Sequence, residues 1–98
     1  MNESNHWSKT EESLFEAFLQ LKTKEEVACF CRDLMTIAEI KEFSKRWEIA
    51  KLLNESKLSY QAIAEKIGTS TATVTRTNQW LHHGMNGYKT VLQRLKKK

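Results

Sequence analysis

Residues 58–81 read LSYQAIAEKIGTSTATVTRTNQWL, and they decide the fold because a glycine separates two short amphipathic segments. Ser59 is placed to cap a first helix, whose apolar residues share one face at spacings of three and four. Gly68 follows, and glycine adopts the left-handed backbone that ends a helix without the steric cost of a Cβ. Ser70 is placed to cap a second helix with Val74 as its apolar anchor. This pattern predicts a helix-turn-helix.

The second of these helices carries small or hydroxylated side chains, at Thr71, Ala72, Thr73 and Thr75. Threonine offers a hydroxyl to base edges or phosphates and a methyl group to thymine, and alanine lets the backbone come near a duplex. We therefore predict that this helix enters a DNA groove. An ordinary helical hairpin with an exposed threonine-rich face is the alternative interpretation.

Charge is distributed unevenly along the chain, whose net charge is +4. Residues 1–33 hold four Lys/Arg against seven Asp/Glu, whereas residues 34–98 hold twelve against five, so the basic part contains the predicted helix-turn-helix. A cationic surface favours the approach of phosphates, largely because condensed counterions are released. The asymmetry favours double-stranded DNA as the partner, although a solvated basic surface explains the charge alone.

Length and composition predict one mostly helical domain over residues 1–98. Proline is absent and there are three glycines, so no flexible linker divides the chain. We expect dimerisation and scaffold helices in about 7–57, the helix-turn-helix in 58–83 and a C-terminal helix in 86–98. No segment has the apolar length of a membrane span or of a secretory signal. We therefore expect a cytoplasmic protein with no membrane partner.

The sequence contains no recognisable catalytic or metal-binding motif. A Gly-rich phosphate loop, a nucleophile with a supporting pair and a carboxylate dyad are all missing, so we expect neither an enzyme nor a cofactor. Cys29, Cys31, His82 and His83 are zinc-binding residue types, but C-x-C with a distant His pair lacks the usual ligand spacing. A metal sensor is thus a minor alternative. The two cysteines are expected to be free thiols, since their side chains point to different faces of a helix.

Two N-terminal helices are predicted, the first capped by Ser8 and the second by Thr23 with Glu26 in capping-box position. Their apolar side chains are too many for one face of a small monomer, and such a surplus is typical of a partner surface. These side chains are Leu14, Phe15, Phe18, Leu19, Leu21, Val27, Ala28, Phe30, Cys31 and Leu34. We predict a dimerisation module, with core formation inside the monomer as the competing interpretation.

A third helix is predicted from Thr36, which forms a capping box with Glu39, to about Asn54. Its apolar positions keep helical spacing, at Ile37, Ile40, Phe43, Trp47, Ala50 and Leu53. After the helix-turn-helix, Gly84 is expected to end a helix and Asn86–Gly87 to form a turn. A last helix carries Tyr88, Val91, Leu92 and Leu95.

Residues 34–76, LMTIAEIKEFSKRWEIAKLLNESKLSYQAIAEKIGTSTATVTR, resemble the Trp repressor family, and more closely its YerC/YecD-type branch from Gram-positive bacteria. The resemblance implies an all-α, six-helix fold in which the N-terminal helices of two chains interlock as an intertwined homodimer. It also implies a sequence-specific transcriptional regulator, by analogy a repressor, that reads a near-palindromic site.

The resemblance places the start of the second helix of the helix-turn-helix at the major groove. The base-proximal candidates are Ser70, Thr71, Ala72 and Thr75. Gln61, on the preceding helix, is a candidate for contact with a phosphate or a base. Arg76 is a candidate for a phosphate, a salt-bridge partner or a ligand.

The family binds an amino-acid corepressor between its scaffold helix and its reading helix. Thr36, Arg46 and Arg76 match positions near that pocket, and arginine there can grip a carboxylate. The chain departs from the tryptophan-responsive member at Thr77, which stands for a glycine, and at Trp80, which stands for a serine. Both changes add bulk, so we expect no response to tryptophan and leave room for an unidentified small-molecule effector. Trp80 is interpreted either as a built-in plug of the pocket or as a plain core residue.

Two other functions fit the pattern less closely. One is a helical protein-interaction module without direct DNA readout, in which the threonine-rich helix is a docking surface. The other is a DNA-binding fragment of a transposase-like enzyme, for which the chain offers no catalytic domain.

Overall fold

A computed structural model describes residues 6–96 of the chain, and these residues form six α-helices and no strand. The predicted all-α class and helix-turn-helix are therefore confirmed. Residues 1–5 and 97–98, at the two ends of the predicted domain, lie outside the described residues. The helices are α1 (Lys9–Leu19), α2 (Lys24–Leu34), α3 (Ile37–Glu55), α4 (Tyr60–Ile67), α5 (Thr71–His83) and α6 (Gly87–Lys96).

Polar side chains cap the helix N-termini where the sequence predicted. The Ser8 hydroxyl accepts a hydrogen bond from the Glu11 backbone N–H at 3.1 Å, and the Glu11 carboxylate accepts one from the Ser8 N–H at 2.9 Å. Thr36 and Glu39 form the same reciprocal pair at the start of α3. At α2 the Glu26 carboxylate reaches one residue further back and accepts from the N–H of Lys22. Each cap satisfies backbone donors that the helix itself leaves unpaired.

The chain changes direction at two residues with left-handed backbone. Gly68 ends α4 with φ of 83°, as predicted, and its N–H donates to the carbonyl of Ala64. The second is Asn86, with φ of 66°. The turn expected at Asn86–Gly87 thus contains Asn86 alone, because Gly87 is already the first residue of α6. Asparagine tolerates this conformation better than most residues with a Cβ.

The chain divides into two compact units, Met1–Ile40 and Lys41–Lys98. None of the described residues of the first unit is buried. Its aromatic rings meet edge to face, with centroids 5.3 Å apart for Trp7 and Phe15 and 5.1 Å apart for Phe18 and Phe30. Large apolar side chains remain exposed at Trp7, Leu14, Phe15, Leu19, Val27, Leu34 and Ile37.

The second unit contains the hydrophobic core. Within it α5 packs against α4 and α6. The fully or nearly fully buried cluster consists of Ile49, Ile63, Ala64 and Val74, with Leu52, Leu53 and Ile67 packed against it. Val74 is thus the apolar anchor that the sequence predicted. No helix within residues 6–96 is long and apolar enough to cross a membrane.

The buried face of α3 differs from the predicted stripe. Ile49 and Ala50 are the buried residues of this helix, and Ile49 was not among the predicted apolar positions. Phe43, which was among them, remains exposed. The cause is the location of α4 and α5, because the face that they cover is chosen by tertiary packing and not by the helix alone.

Candidate functional site

Helix α5 presents a small, hydroxylated surface near its N-terminus. Thr71, Ala72 and Thr75 are exposed there, whereas Val74 on the opposite side is fully buried. The buried line of α5 continues through Thr77 and Leu81, at the spacing of one helix face. The core therefore fixes which side of α5 faces outward.

Ser70 holds the N-terminus of α5. Its hydroxyl accepts a hydrogen bond from the Thr73 N–H at 3.2 Å and lies 3.1 Å from the Thr73 hydroxyl. The serine is thus engaged as a cap, although it is also exposed. A capped N-terminus carries the positive end of the helix dipole, which favours an approaching phosphate.

Helix α4 supports α5 from behind. The Ser59 hydroxyl accepts from the Ala62 N–H at 3.0 Å, and Ile63 and Ala64 are buried in the core. Gln61 lies in the first turn of α4 and is exposed. The left-handed Gly68 joins the two helices, so the angle between them depends on a residue that lacks a Cβ.

A cleft of about 150 Å³ lies beside α5 and brings together four of the five residues predicted for a ligand pocket. The fifth, Thr36, belongs to the other compact unit, where it caps α3. Three lining residues, Glu42, Thr73 and Tyr88, were not predicted for the pocket. The complete lining is Glu42, Arg46, Thr73, Arg76, Thr77, Trp80 and Tyr88.

The arginines of the cleft have different surroundings. Arg46 lies beside Glu42, with 3.7 Å between its Nε and the Oε2 of the carboxylate, and its guanidinium carbon is 5.3 Å from the centroid of the Phe43 ring. Arg76 is exposed and has no carboxylate within 4 Å among residues 6–96. The spacing of four residues between Glu42 and Arg46 is the sequence signal that would have found this pair.

Thr77 and Trp80, the two residues predicted to add bulk to the cleft, differ in burial. Thr77 is 4% exposed, and its hydroxyl donates to the Thr73 carbonyl at 2.9 Å. Trp80 is 58% exposed, so the interpretation of Trp80 as a plain core residue of this chain is wrong. Trp80 lines the cleft together with Tyr88, whose ring is stacked on that of Trp47 with 6.4 Å between centroids.

Trp80 also borders a second, more open hollow of about 360 Å³. Its other lining residues are Gly84, Met85, Gly87 and Tyr88. Met85 is 72% exposed, and with Trp80 it forms an apolar patch at the end of α5. Trp80 and Tyr88 therefore line both the charged cleft and the apolar hollow.

The remaining candidate ligands for a metal do not come together. Within residues 6–96 no group of three or more His, Cys, Asp or Glu side chains is placed to hold an ion. Cys29 and Cys31 are free thiols, as predicted.

Comparison with known proteins supports the helix-turn-helix assignment. A family model described as the Trp repressor protein matches residues 9–96. The chain is 39% identical over 85 residues to the Bacillus subtilis protein YerC, and the match covers 87% of this chain and 81% of YerC. It is 35% identical over 88 residues to a Trp operon repressor homolog of Chlamydia trachomatis, and this match covers 86% of this chain and 94% of the homolog.

The fold agrees with a solved structure of the same kind. The crystal structure of a TrpR-like protein from Eubacterium eligens superposes with a TM-score of 0.87 at 42% identity, and the match covers 96% of each chain. The family model and the relatives span both the N-terminal helices and the helix-turn-helix. The chain therefore belongs to the Trp repressor family.

Proposed function

We propose that this protein is a transcriptional repressor that reads a near-palindromic DNA site as a homodimer and does not respond to tryptophan. The family and the fold support a DNA-binding regulator. The observation that supports site-specific reading of DNA is the outward face of α5, where small and hydroxylated side chains surround a capped helix N-terminus. The proposed place of action is the cytoplasm.

Thr71, Ala72 and Thr75 are the proposed base-reading residues. All three are exposed on α5, and their size allows the helix backbone to come close to base edges in a major groove. Ser70 would act through the cap, and its neighbouring N–H groups would meet a phosphate. Gln61 and Arg76 are exposed and are proposed to contact the DNA backbone.

A second copy of the chain is the proposed partner of the N-terminal helices. None of their described residues is buried, and seven large apolar side chains are exposed before Lys41. Exposure of that much apolar surface to water is unfavourable, and a two-fold dimer would bury this surface. Such a dimer would present its two α5 helices about one helical turn of DNA apart, roughly 34 Å.

Tryptophan is excluded from the proposal because of the cleft. Its volume of about 150 Å³ is below the roughly 300–1,000 Å³ of ordinary ligand pockets. Thr77 and Trp80 supply the bulk, and Thr77 is buried. Thr36 stays a proposed pocket residue on the resemblance alone. A small effector of another kind remains compatible with the cleft.

Selection of binding sites from random duplex DNA tests the reading function directly. We expect a near-palindromic consensus whose half-sites are about one helical turn apart. Thr75→Glu should abolish binding, since it places a carboxylate at the groove, and gel filtration should show an unchanged dimer. The matched control is Gln93→Glu on the exposed side of α6, which adds the same charge away from α5 and should retain binding. If Thr75→Glu retains full affinity, α5 is not the reading helix.

Two further measurements separate the parts of the proposal. Affinity for DNA should fall steeply with salt, because each neutralised phosphate adds about 0.9 to the slope of log K against log salt. A thermal-shift titration with L-tryptophan should leave the melting temperature unchanged. Salt-independent binding would contradict phosphate contact, and strong stabilisation by tryptophan would contradict the exclusion.

A protein-interaction module remains the second candidate because of the apolar patch formed by Trp80 and Met85. Both side chains are more than half exposed at the end of α5. In that case the protein would bind no duplex in gel filtration. Trp80→Ser would then weaken partner binding, and Thr75→Glu would have a smaller effect on it.

A further inference from the structure

The charged cleft beside α5 contains its own anion. Glu42, Arg46 and Arg76 all line it, and Glu42 reduces the formal charge of this group from +2 to +1. The Glu42 carboxylate lies on the Nε side of Arg46, 3.7 Å away. Phe43 contacts the same guanidinium at 5.3 Å, close enough for a cation–π interaction.

These contacts belong to a single helix. Glu42 and Arg46 are four residues apart on α3 with the acid first, an orientation that favours pairing on a helix. Both side chains are about half exposed, so solvent weakens the pair but does not abolish it. Arg76, in contrast, approaches the cleft from α5 without a carboxylate partner within residues 6–96.

We propose that the Glu42 carboxylate acts as a built-in anion that occupies Arg46 and leaves Arg76 as the arginine that an external anion meets. In this proposal Glu42 acts through Arg46 and is a positioning and charge-setting residue. The inference rests on the proposed function where it concerns DNA. It adds that the cleft presents one arginine, and not two, to an external phosphate or carboxylate, whether this comes from the DNA backbone or from a small molecule.

Glu42→Gln keeps the shape of the side chain and removes its charge. With a random-sequence duplex as the probe, the slope of log K against log salt should steepen by about 0.9, because Arg46 gains a phosphate. Between 50 and 200 mM salt, that change is an additional loss of affinity of about 3.5-fold. A merely structural role of Glu42 would lower affinity without changing the slope.

Two controls distinguish the effect of breaking the Glu42–Arg46 pair from the effect of removing any negative charge from α3. Glu48→Gln removes the same charge from the same helix, but Glu48 pairs with Lys51 at 3.6 Å and does not line the cleft. Its salt slope should match that of the wild type. In an Arg46→Gln background, Glu42→Gln should change the slope by less than half as much, because the arginine that it releases is gone.

Inorganic phosphate distinguishes a small anion from the DNA backbone. In a thermal-shift titration at constant ionic strength, phosphate should bind Glu42→Gln about two- to fivefold more tightly than the wild type or Glu48→Gln. This arm needs no DNA. If no variant binds duplex, the proposed function fails, and the phosphate titration alone decides the inference.

Equal salt slopes for Glu42→Gln and Glu48→Gln, together with equal phosphate affinities, would overturn the proposal. The proposal would also be overturned if Glu42→Gln steepened the salt slope by the full amount in the Arg46→Gln background. A steeper slope that depends on Arg46 supports it, and tighter phosphate binding by the Glu42 variant alone supports it independently of DNA.

Discussion

Replacing Gly68 by alanine isolates the energetic cost of the turn between α4 and α5. Gly68 has φ of 83°, in the left-handed region that residues with a Cβ adopt at a cost. A Cβ built on this glycine meets no other atom within 4 Å, so the substitution adds no steric clash. Backbone strain is therefore the main native-state effect of Gly68→Ala.

The size of the effect follows from two opposing terms. An L-residue in the left-handed region costs about 1–2 kcal/mol. Alanine also restricts the unfolded chain, which stabilises the native state by roughly 0.4–1 kcal/mol. The net expectation is a loss of about 1 kcal/mol, or a melting temperature lower by about 4–8 °C for a domain of this size.

Gly87 supplies the matched control. A Cβ there also meets nothing within 4 Å, but Gly87 is helical and its φ is outside the left-handed region. Gly87→Ala should therefore stabilise the protein by about 0.4–1 kcal/mol. Denaturant unfolding at one protein concentration measures both variants, since the stability of the proposed dimer would depend on concentration. If Gly68→Ala is as stable as the wild type while Gly87→Ala behaves as expected, the left-handed turn does not carry the predicted strain.

Substitutions at three further positions, Ser70, Ile49 and Asn86, test the cap, the core and the second turn. Ser70→Ala removes the acceptor for the Thr73 N–H and should lower the free energy of unfolding by about 0.5–2 kcal/mol, as measured by denaturant unfolding. The control is Ser13→Ala on the exposed side of α1, which should change that free energy little. Ile49→Ala empties a fully buried position and should cost about 2–5 kcal/mol; a loss below 1 kcal/mol would mean that the core lies elsewhere. At Asn86, where φ is 66°, valine should lower the melting temperature and glycine should not, because a β-branched residue is strained there.

Helix starts could be predicted from the sequence because a cap is a local interaction. Ser8, Thr36 and Ser70 each bond a backbone N–H three residues on, and that spacing is visible in the sequence itself. Gly68 was predictable for the same reason, since its conformation depends on its own missing Cβ. Resemblance to the family added four residues of the cleft, which come from two helices far apart in the chain: Arg46, Arg76, Thr77 and Trp80.

The buried face of α3 could not be predicted in the same way. Several of its faces carry apolar residues, so helical spacing alone allows more than one orientation. Ile49 is buried because α4 and α5 supply Ile63 and Val74 opposite it, and that choice is made by residues at least fourteen positions away. Phe43 has comparable hydrophobicity and stays exposed in the chain.

Thr77 and Trp80 show why bulk in a cleft has to be considered together with burial. The buried line of α5 runs through Val74, Thr77 and Leu81, so Thr77 can move only if the core moves. Trp80 lies beside that line and is 58% exposed, and the space on its far side is open. The indole of Trp80 therefore has open space beside it, whereas the Thr77 side chain is surrounded by packed neighbours. In the proposed function, Thr77 therefore sets the fixed limit of the cleft, and Trp80 is the wall that a bound effector would displace.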